Sequence, residues 1–317
     1  MAKKSRKAGI TSAGPDEVGP RQPCPCGSGR RYKACHGGAD SAPPYVVRSF
    51  EGLPQECDWI ALREFVPAAL APVTLRRDAY DGAAEGRSVS VATLLPGLVP
   101  AMARENSEVW LALQVTHQSG DASRDLAEAL RLGLAAEPGT SVVMPTLPGP
   151  GLRLQEVVDA ASSLDVTVLE GFDFWFEDVD EVDGSVAGTL EQLNASIDPT
   201  RRLRSVDAAY WTSVGTKEHV RWVMPHEEDA MLTALARLHA AGADSLGDGT
   251  RLVGSFRAHG LLVPVWDLPV GTGADAVEAP AVAFAERVGE AIGTKRALSQ
   301  EERSARNGLA NRQLTIR

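Results

Sequence analysis

The sequence predicts an α+β fold for the long central part of the chain, residues 45–294. Short β-rich runs are joined by glycine-containing turns into hairpins at 207–224 and 251–268, and such hairpins outnumber strand–helix–strand crossovers. Amphipathic helical segments alternate with these runs, and about 250 residues are enough to bury a substantial core. We therefore expect one globular α+β body.

The spacing of apolar residues and the positions of turn residues predict where each helix and strand of this body begins and ends. The segment 123–136, for example, puts Leu126, Leu130 and Leu134 on one helical face and stops before Pro138. In chain order the predicted elements are a strand at 109–115, helices at 123–136 and 154–164, a strand at 166–169, a helix at 185–197, strands at 207–214 and 219–224, a helix at 227–241, strands at 251–258 and 261–268, and a helix at 275–292.

Two segments of the body share a pattern. Residues 108–115 and 262–269 each form a predicted strand with a tryptophan, and each leads through a Gly/Asp-containing loop into an alanine-rich helix. This pattern is typical of an internal duplication, and also of ordinary strands with a core tryptophan. The body is therefore either a single unit or two pseudo-repeated lobes.

The segment before the body concentrates potential metal ligands. Cys24 and Cys26 form one close pair, and Cys35 and His36 form a second, with a short glycine-containing loop between the pairs. Zinc prefers four thiolate or imidazole ligands in a tetrahedron, and two close pairs supply them without help from the rest of the fold. The spacing predicts a small N-terminal knuckle that binds Zn²⁺ through these four residues.

The run 24–37 resembles the SEC-C motif at the C-terminal end of the translocation motor SecA; it reads Cys-Pro-Cys-Gly-Ser-Gly-Arg-Arg-Tyr-Lys-Ala-Cys-His-Gly. The resemblance implies zinc binding by the same four residues and docking to the chaperone SecB or to the ribosome. Arg30, Arg31 and Lys33 lie in the loop that such docking would use. The alternative is that zinc only stabilises the knuckle. No Walker-type phosphate-binding motif is present, so we do not expect a SecA motor.

Cysteine use and hydropathy predict a cytoplasmic protein. The first nine residues are polar and rich in Lys and Arg, without the apolar stretch of a signal peptide, so disulfide pairing is not expected. Cys57 has no second cysteine nearby, and we predict a half-buried thiol rather than a ligand. No run approaches the roughly 18 apolar residues that a membrane span needs, so we expect no membrane insertion.

Charge divides the chain into basic ends and an acidic middle. Residues 1–38 hold eight Lys/Arg against two acids, and residues 295–317 hold six against two, so the middle carries a formal −20 within a total of −10. The basic arm either contacts rRNA or only aids solubility. The predicted domains are a disordered basic arm at 1–22, the SEC-C knuckle at 23–38, a linker at 39–44, the α+β body at 45–294, and a basic C-terminal helix and tail at 295–317.

The sequence offers no convincing catalytic constellation. The acidic stretch 170–184 departs from a calcium loop at Val182 and is predicted to be a solvated loop. The run 226–229 fits a helix start, and the run 271–273 fits a turn better than a phosphate cradle. His117, His219, His239 and His259 lie in unrelated sequence contexts. An enzyme would be favoured by a pocket that brings together two or more of His117, His219, His226, His259, Asp173 and Asp267.

The C-terminal segment opens with a capping box. Ser299 is the predicted N-cap and Glu302 the residue that completes the box, and Asn307-Gly308 is the predicted end of the helix. The residues after it are basic and slightly apolar. They either pair with a sheet edge or a partner, or they fray.

Knuckle, acidic body and tail together resemble an uncharacterised actinobacterial family of SEC-C proteins of unknown function, often labelled SecA-like. The resemblance supports the architecture and no particular activity. We expect a non-catalytic, zinc-dependent adaptor whose knuckle docks to a ribosomal or Sec-pathway partner. The alternative is an enzyme of unknown reaction with its site in residues 45–294 and the SEC-C motif as a targeting module.

Overall fold

The computed structural model describes residues 21–22, 31, 45–115, 119–144, 146–177 and 183–312. The chain separates into two units, 1–44 and 45–317, and every helix and strand named below belongs to the second unit. This unit has an α+β fold, as predicted, with seven α-helices and two β-sheets among the described residues.

Helices and strands are numbered in chain order. The helices are α1 (Glu56–Glu64), α2 (Ala122–Ala135), α3 (Leu154–Val157), α4 (Gly184–Ala195), α5 (Glu228–Ala240), α6 (Glu278–Gly293) and α7 (Gln300–Asn311). The strands are β1 (Ala69–Val73), β2 (Val89–Ala92), β3 (Ala101–Ala103), β4 (Val109–Ala112), β5 (Thr140–Ser141), β6 (Thr167–Val168), β7 (Thr200–Arg202), β8 (Ala209–Val214), β9 (Lys217–Trp222), β10 (Arg251–Ala258) and β11 (Leu261–Leu268).

The first sheet has six strands in the order β5-β3-β4-β2-β1-β6. β2 and β4 run parallel, and the other neighbouring strands are antiparallel. α2 begins at the N-cap Asp121, whose side chain accepts a hydrogen bond from the Arg124 amide, and packs on β3 and β4. Gly133 allows this close packing, because a Cβ there would lie 2.8 Å from Cγ1 of Val109.

Aromatic side chains cover the opposite face of the first sheet. Phe172, Phe174 and Trp175 are buried there together with Trp110. The prediction of a solvated loop at 170–184 is therefore wrong for Phe172, Phe174 and Trp175, because burying three rings is more favourable than exposing them to water. The acidic side chains between the rings stay exposed, and residues 178–182 lie outside the described part.

The second sheet is an antiparallel set of five strands in the order β10-β11-β9-β8-β7. Both predicted hairpins are confirmed. The β10–β11 turn is His259-Gly260, and both residues have positive φ, 45° and 78°. Such turns match the right-handed twist of the strands they join.

The second sheet is packed on both faces. On one face Trp222 and Trp266 contact Phe284 of α6, with ring centroids 6.0 and 5.1 Å apart, and α5 and α7 complete this layer. On the other face Tyr210 and Phe256 meet the edge of the Phe65 ring at 5.8 and 6.0 Å. The sheet is therefore the centre of the carboxyl-terminal half of the body.

α1 connects the two sheets. Seven of its nine residues are buried, and its apolar side chains share one core with residues of both sheets and of α2. A helix buried on nearly all sides needs apolar residues around its circumference, and the run Trp59-Ile60-Ala61-Leu62 provides them. The body is thus one continuous packing unit.

Three further sequence predictions, on the ends of elements, need correction. The helix expected at 154–164 ends at Val157, because the next residue, Val158, forms a β-bridge with Leu75. The C-terminal helix does not end at Asn307-Gly308 but continues to Asn311, because Leu309 is buried in the second core. The strand expected at 109–115 is shorter and ends at Ala112.

The two segments proposed as a repeat differ in pairing. β4 has one parallel neighbour, β2, and one antiparallel neighbour, β3. β11 has antiparallel neighbours on both sides. The segments therefore share a strand–loop–helix order and not a sheet environment.

Candidate functional site

The predicted metal ligands Cys24, Cys26, Cys35 and His36 lie outside the described residues, as do Arg30 and Lys33 of the basic loop; Arg31 is described and exposed. The donor set itself, three thiolates and one imidazole, is one that Zn²⁺ prefers. Among the described residues, no group of three or more His, Cys, Asp or Glu side chains could hold a metal ion.

Cys57 is a buried thiol on α1. Burial raises its pKa to about 12, and the neighbouring charges of Glu56 and Asp58 act in the same direction. Only a thiolate is a good metal ligand or nucleophile, so this cysteine is a core residue. Its side chain is more buried than the sequence suggested, with 8% exposed.

One pair of the residues expected to mark an enzyme does come together. His219 of β9 and Asp267 of β11 face each other across the sheet, with Nδ1 and Oδ1 2.9 Å apart. The geometry is not aligned for a hydrogen bond. Arg251 approaches Asp267 from β10 at 3.5 Å, so the three side chains form one polar row across three strands. Cross-strand pairs of this kind stabilise sheets.

The remaining candidates have separate structural roles. His259 Nε2 lies 3.0 Å from Glu64 Oε1 and links the β10–β11 turn to α1. Oδ2 of Asp173 accepts a hydrogen bond from the side-chain Nδ2 of Asn194 at 2.9 Å. His226 is half-buried, and burial lowers its pKa. His117 lies outside the described residues.

The loop at Gly271 and Gly273 binds a carboxylate of the chain itself. Glu218 Oε1 accepts from the Gly271 amide at 2.5 Å, and Oε2 accepts from the Gly273 amide at 2.8 Å and from the Trp211 indole at 2.8 Å. Burial would raise the pKa of Glu218, and these donors outweigh it and lower the pKa. The amide donors of this turn therefore already bind the Glu218 carboxylate of the same chain.

A cleft of about 460 Å³ lies where α5 ends beside the start of β10. His239 lies in the last turn of α5. Its Nδ1 is 2.6 Å from Oδ2 of Asp244, so the carboxylate contacts this ring nitrogen and not Nε2. The walls are His239, Asp244, Thr250, Arg251, Leu252, Val253 and Arg312. A second cleft, of about 480 Å³, shares His239 and Arg312 and lies between the carboxyl end of α5 and the side of α7.

The described walls of the first cleft include a histidine–carboxylate pair but no side chain placed as a nucleophile. A histidine held by a carboxylate is one part of a general-base system, whose nucleophile is either a side chain or a water or substrate group. The nearby Thr250 hydroxyl donates to the Gly247 carbonyl and accepts from the Leu246 amide, so both of its roles are structural. The carboxyl ends of two helices and Asp244 make the site unsuited to a phosphate despite Arg251 and Arg312.

Sequence reasoning missed this cleft. The local signal was a histidine near the predicted end of a helix, followed five residues later by Asp244. Its other walls come from β10 and from the residue after α7, so only the fold brings them together. Among the described residues, no helix has the length and apolar character needed to cross a bilayer.

Two family models match the chain. One, described as Family of unknown function (DUF5926), covers residues 49–317, and the other, the SEC-C motif, covers residues 21–38. The first match spans most of the chain, so the protein belongs to this family of unknown function. The second confirms the predicted SEC-C motif. No curated protein and no solved structure matches the chain significantly.

Proposed function

We propose that this DUF5926 protein is a zinc-dependent adaptor of the cytoplasm, whose SEC-C knuckle docks onto a ribosomal or Sec-pathway component. The observation that carries the proposal is the SEC-C match at residues 21–38, which contains all four predicted ligands. SEC-C motifs are docking elements in general. The second unit, residues 45–317, contains the body and the C-terminal helix, and the knuckle would bring it to the partner.

Zinc binding by Cys24, Cys26, Cys35 and His36 is the first step of the proposal. Purified protein should contain one zinc per chain, measured by elemental analysis, and Cys35→Ser should lose most of it. Cys57→Ala is the matched control, because its thiol is buried in the body and should not affect zinc content. Equal zinc in wild type and Cys35→Ser would exclude this ligand set.

Docking through the basic loop is the second step. Arg30, Arg31 and Lys33 belong to the basic segment 1–38, which precedes an acidic middle, so an anionic partner such as rRNA or an acidic chaperone surface suits them. The test is a tagged pull-down from native cytosol at low and moderate salt, comparing the full chain with a version lacking residues 1–40. Ribosomal or Sec proteins should be present with the first and absent with the second.

A matched charge reversal distinguishes specific docking by the basic loop from a non-specific effect of net charge. Arg30→Glu, Arg31→Glu and Lys33→Glu together should abolish capture of these partners. The control reverses three exposed basic residues of the second unit, Arg77, Lys217 and Lys295, and should retain capture. Partners that remain after the first reversal, or disappear after both, would contradict docking by the knuckle.

A further inference from the structure

β10 is an edge strand of the second sheet, because its only sheet neighbour among the described strands is β11. An edge strand presents unpaired backbone N–H and C=O groups, and proteins usually cover or blunt it. β10 is eight residues long, and most of its side chains are buried. Its edge is therefore long enough for another strand to pair with it.

One contact on this edge shows which segment reaches it. Ser255 lies opposite Pro264 of β11. Its amide does not bond to β11 but donates to the carbonyl of Arg312 at 3.3 Å, on the outer side of the strand. The residue that follows α7 is therefore already bonded to the edge of β10.

The position of Arg312 is fixed by the way α7 is held. The capping box of Ser299 and Glu302 sets the start of the helix, and Arg296 binds Glu302 through two contacts of 2.6 and 2.5 Å. Leu309, near the other end, is buried in the second core with 4% exposed. The chain therefore leaves α7 in a defined place, at the edge of β10.

From Arg312, the 460 Å³ cleft runs along Val253, Leu252, Arg251 and Thr250. A segment that continues from Arg312 into this cleft passes β10 residues in descending order, so it runs antiparallel to β10. Residues 313–317 read Gln-Leu-Thr-Ile-Arg, with apolar residues at alternate positions and two β-branched residues, which is the pattern of a strand with one apolar face. Five residues beyond Arg312 would cover the path from Ser255 to Thr250, which spans five steps.

We propose that residues 313–317 dock along the outer edge of β10 as an added antiparallel strand and fill this cleft. Charge agrees with this occupant. The carboxyl end of α5 and Asp244 make this end of the cleft favourable for the basic side chain of Arg317. The docked segment would protect the edge from pairing with other chains, and it is independent of the zinc knuckle.

Amide hydrogen exchange of the full-length protein tests this proposal. Peptides covering 251–258 should exchange at least about tenfold faster after deletion of residues 313–317, because the edge amides lose their acceptors. Thr315→Pro should have the same effect, since proline cannot join a strand ladder. Thr315→Val, which keeps the strand propensity, is the matched control and should leave exchange unchanged.

The β8–β9 hairpin, residues 209–222, serves as the internal check on folding and should exchange equally in all variants. Unchanged exchange of 251–258 after the deletion would overturn the proposal. Protection of 251–258 that depends on protein concentration would also overturn it, because the occupant would then be a second copy of the chain. Faster exchange of 251–258 in the deletion and in Thr315→Pro, with exchange of 209–222 unchanged, would support it.

Discussion

Asp58 on α1 and Arg202 on β7 form a two-point salt bridge in the interior, with Nε to Oδ1 at 3.0 Å and Nη2 to Oδ2 at 2.9 Å. Asp58 is 1% exposed, and the Tyr210 hydroxyl donates to its Oδ1 at 2.6 Å. Burial, followed by the charge of Asp58, raises the pKa of Tyr210 well above its ordinary value, so the phenol stays a donor. The carboxylate thus has its partners and ties α1 to the second sheet.

Removing this carboxylate should be strongly destabilising. Asp58→Ala leaves the half-buried Arg202 charge with only the exposed Asp207 at 3.6 Å, and we expect a loss of about 3–5 kcal/mol in the free energy of unfolding, measured with urea. Asp275→Ala is the control, because Asp275 binds the adjacent Arg201 at 2.8 Å on the exposed surface, where water screens the pair, and its loss should have little effect. Equal effects of the two substitutions would contradict the structural role of Asp58.

The carboxylate of Glu218 should hold the loop at 269–274 in place. Glu218→Gln replaces one accepting oxygen by a donor, so the Gly271 and Gly273 amides cannot both keep their bonds, at a cost of about 1–3 kcal/mol. Hydrogen exchange of this loop should accelerate. Glu286→Gln, an exposed position on α6, should change neither exchange nor stability. An unaltered loop in Glu218→Gln would show that the carboxylate is dispensable.

Glu302 should make the stability of the body depend on acid pH. The Arg296 side chain, followed by the Ser299 amide, lowers the pKa of Glu302 from its ordinary value of 4.5 to about 2. A lowered pKa means that the contribution is complete above pH 4.5 and is lost as the pH falls toward 2. The stability difference between wild type and Glu302→Gln should therefore shrink across this range. A difference that stays constant from pH 6 to pH 3 would contradict this assignment.

The four cysteines should react in two classes. Because the pKa of Cys57 is raised to about 12, its thiol should resist alkylation at pH 8 until the body unfolds. Cys24, Cys26 and Cys35 should be protected by zinc and become reactive when a chelator removes it. Mass spectrometry of alkylated peptides distinguishes the classes. Rapid alkylation of Cys57 in the folded protein would contradict its burial.

Local signals allowed much of the fold to be predicted. The β10–β11 hairpin, the capping box of α7 and the amphipathic pattern of α2 each depend on residues close in sequence, and all three are confirmed. β1 and β3 were missed, because Ala69–Val73 and Ala101–Ala103 are short, alanine-rich and without a clear alternating pattern. Their strand conformation comes from pairing with neighbours, which a local pattern does not record.

Contacts between distant residues could not be predicted. Asp58 and Arg202 are 144 positions apart, and the 460 Å³ cleft joins the end of α5, the start of β10 and Arg312. The sequence identified a potential anion cradle at Gly271 to Gly273 but not that Glu218 occupies it. Conversely, the SEC-C motif was identified from sequence because all its ligands lie within thirteen residues.

The central claim is that zinc in the knuckle creates a docking surface, and co-sedimentation with purified ribosomes, alongside capture on immobilised SecB, tests it most directly. We predict that the zinc-loaded full chain binds one of these two partners, and that chelation or Cys35→Ser reduces binding at least about tenfold while zinc restores it to the chelated wild type. Cys57→Ala should bind like wild type. Equal binding by zinc-loaded wild type and Cys35→Ser, or no binding to either partner, would contradict the claim.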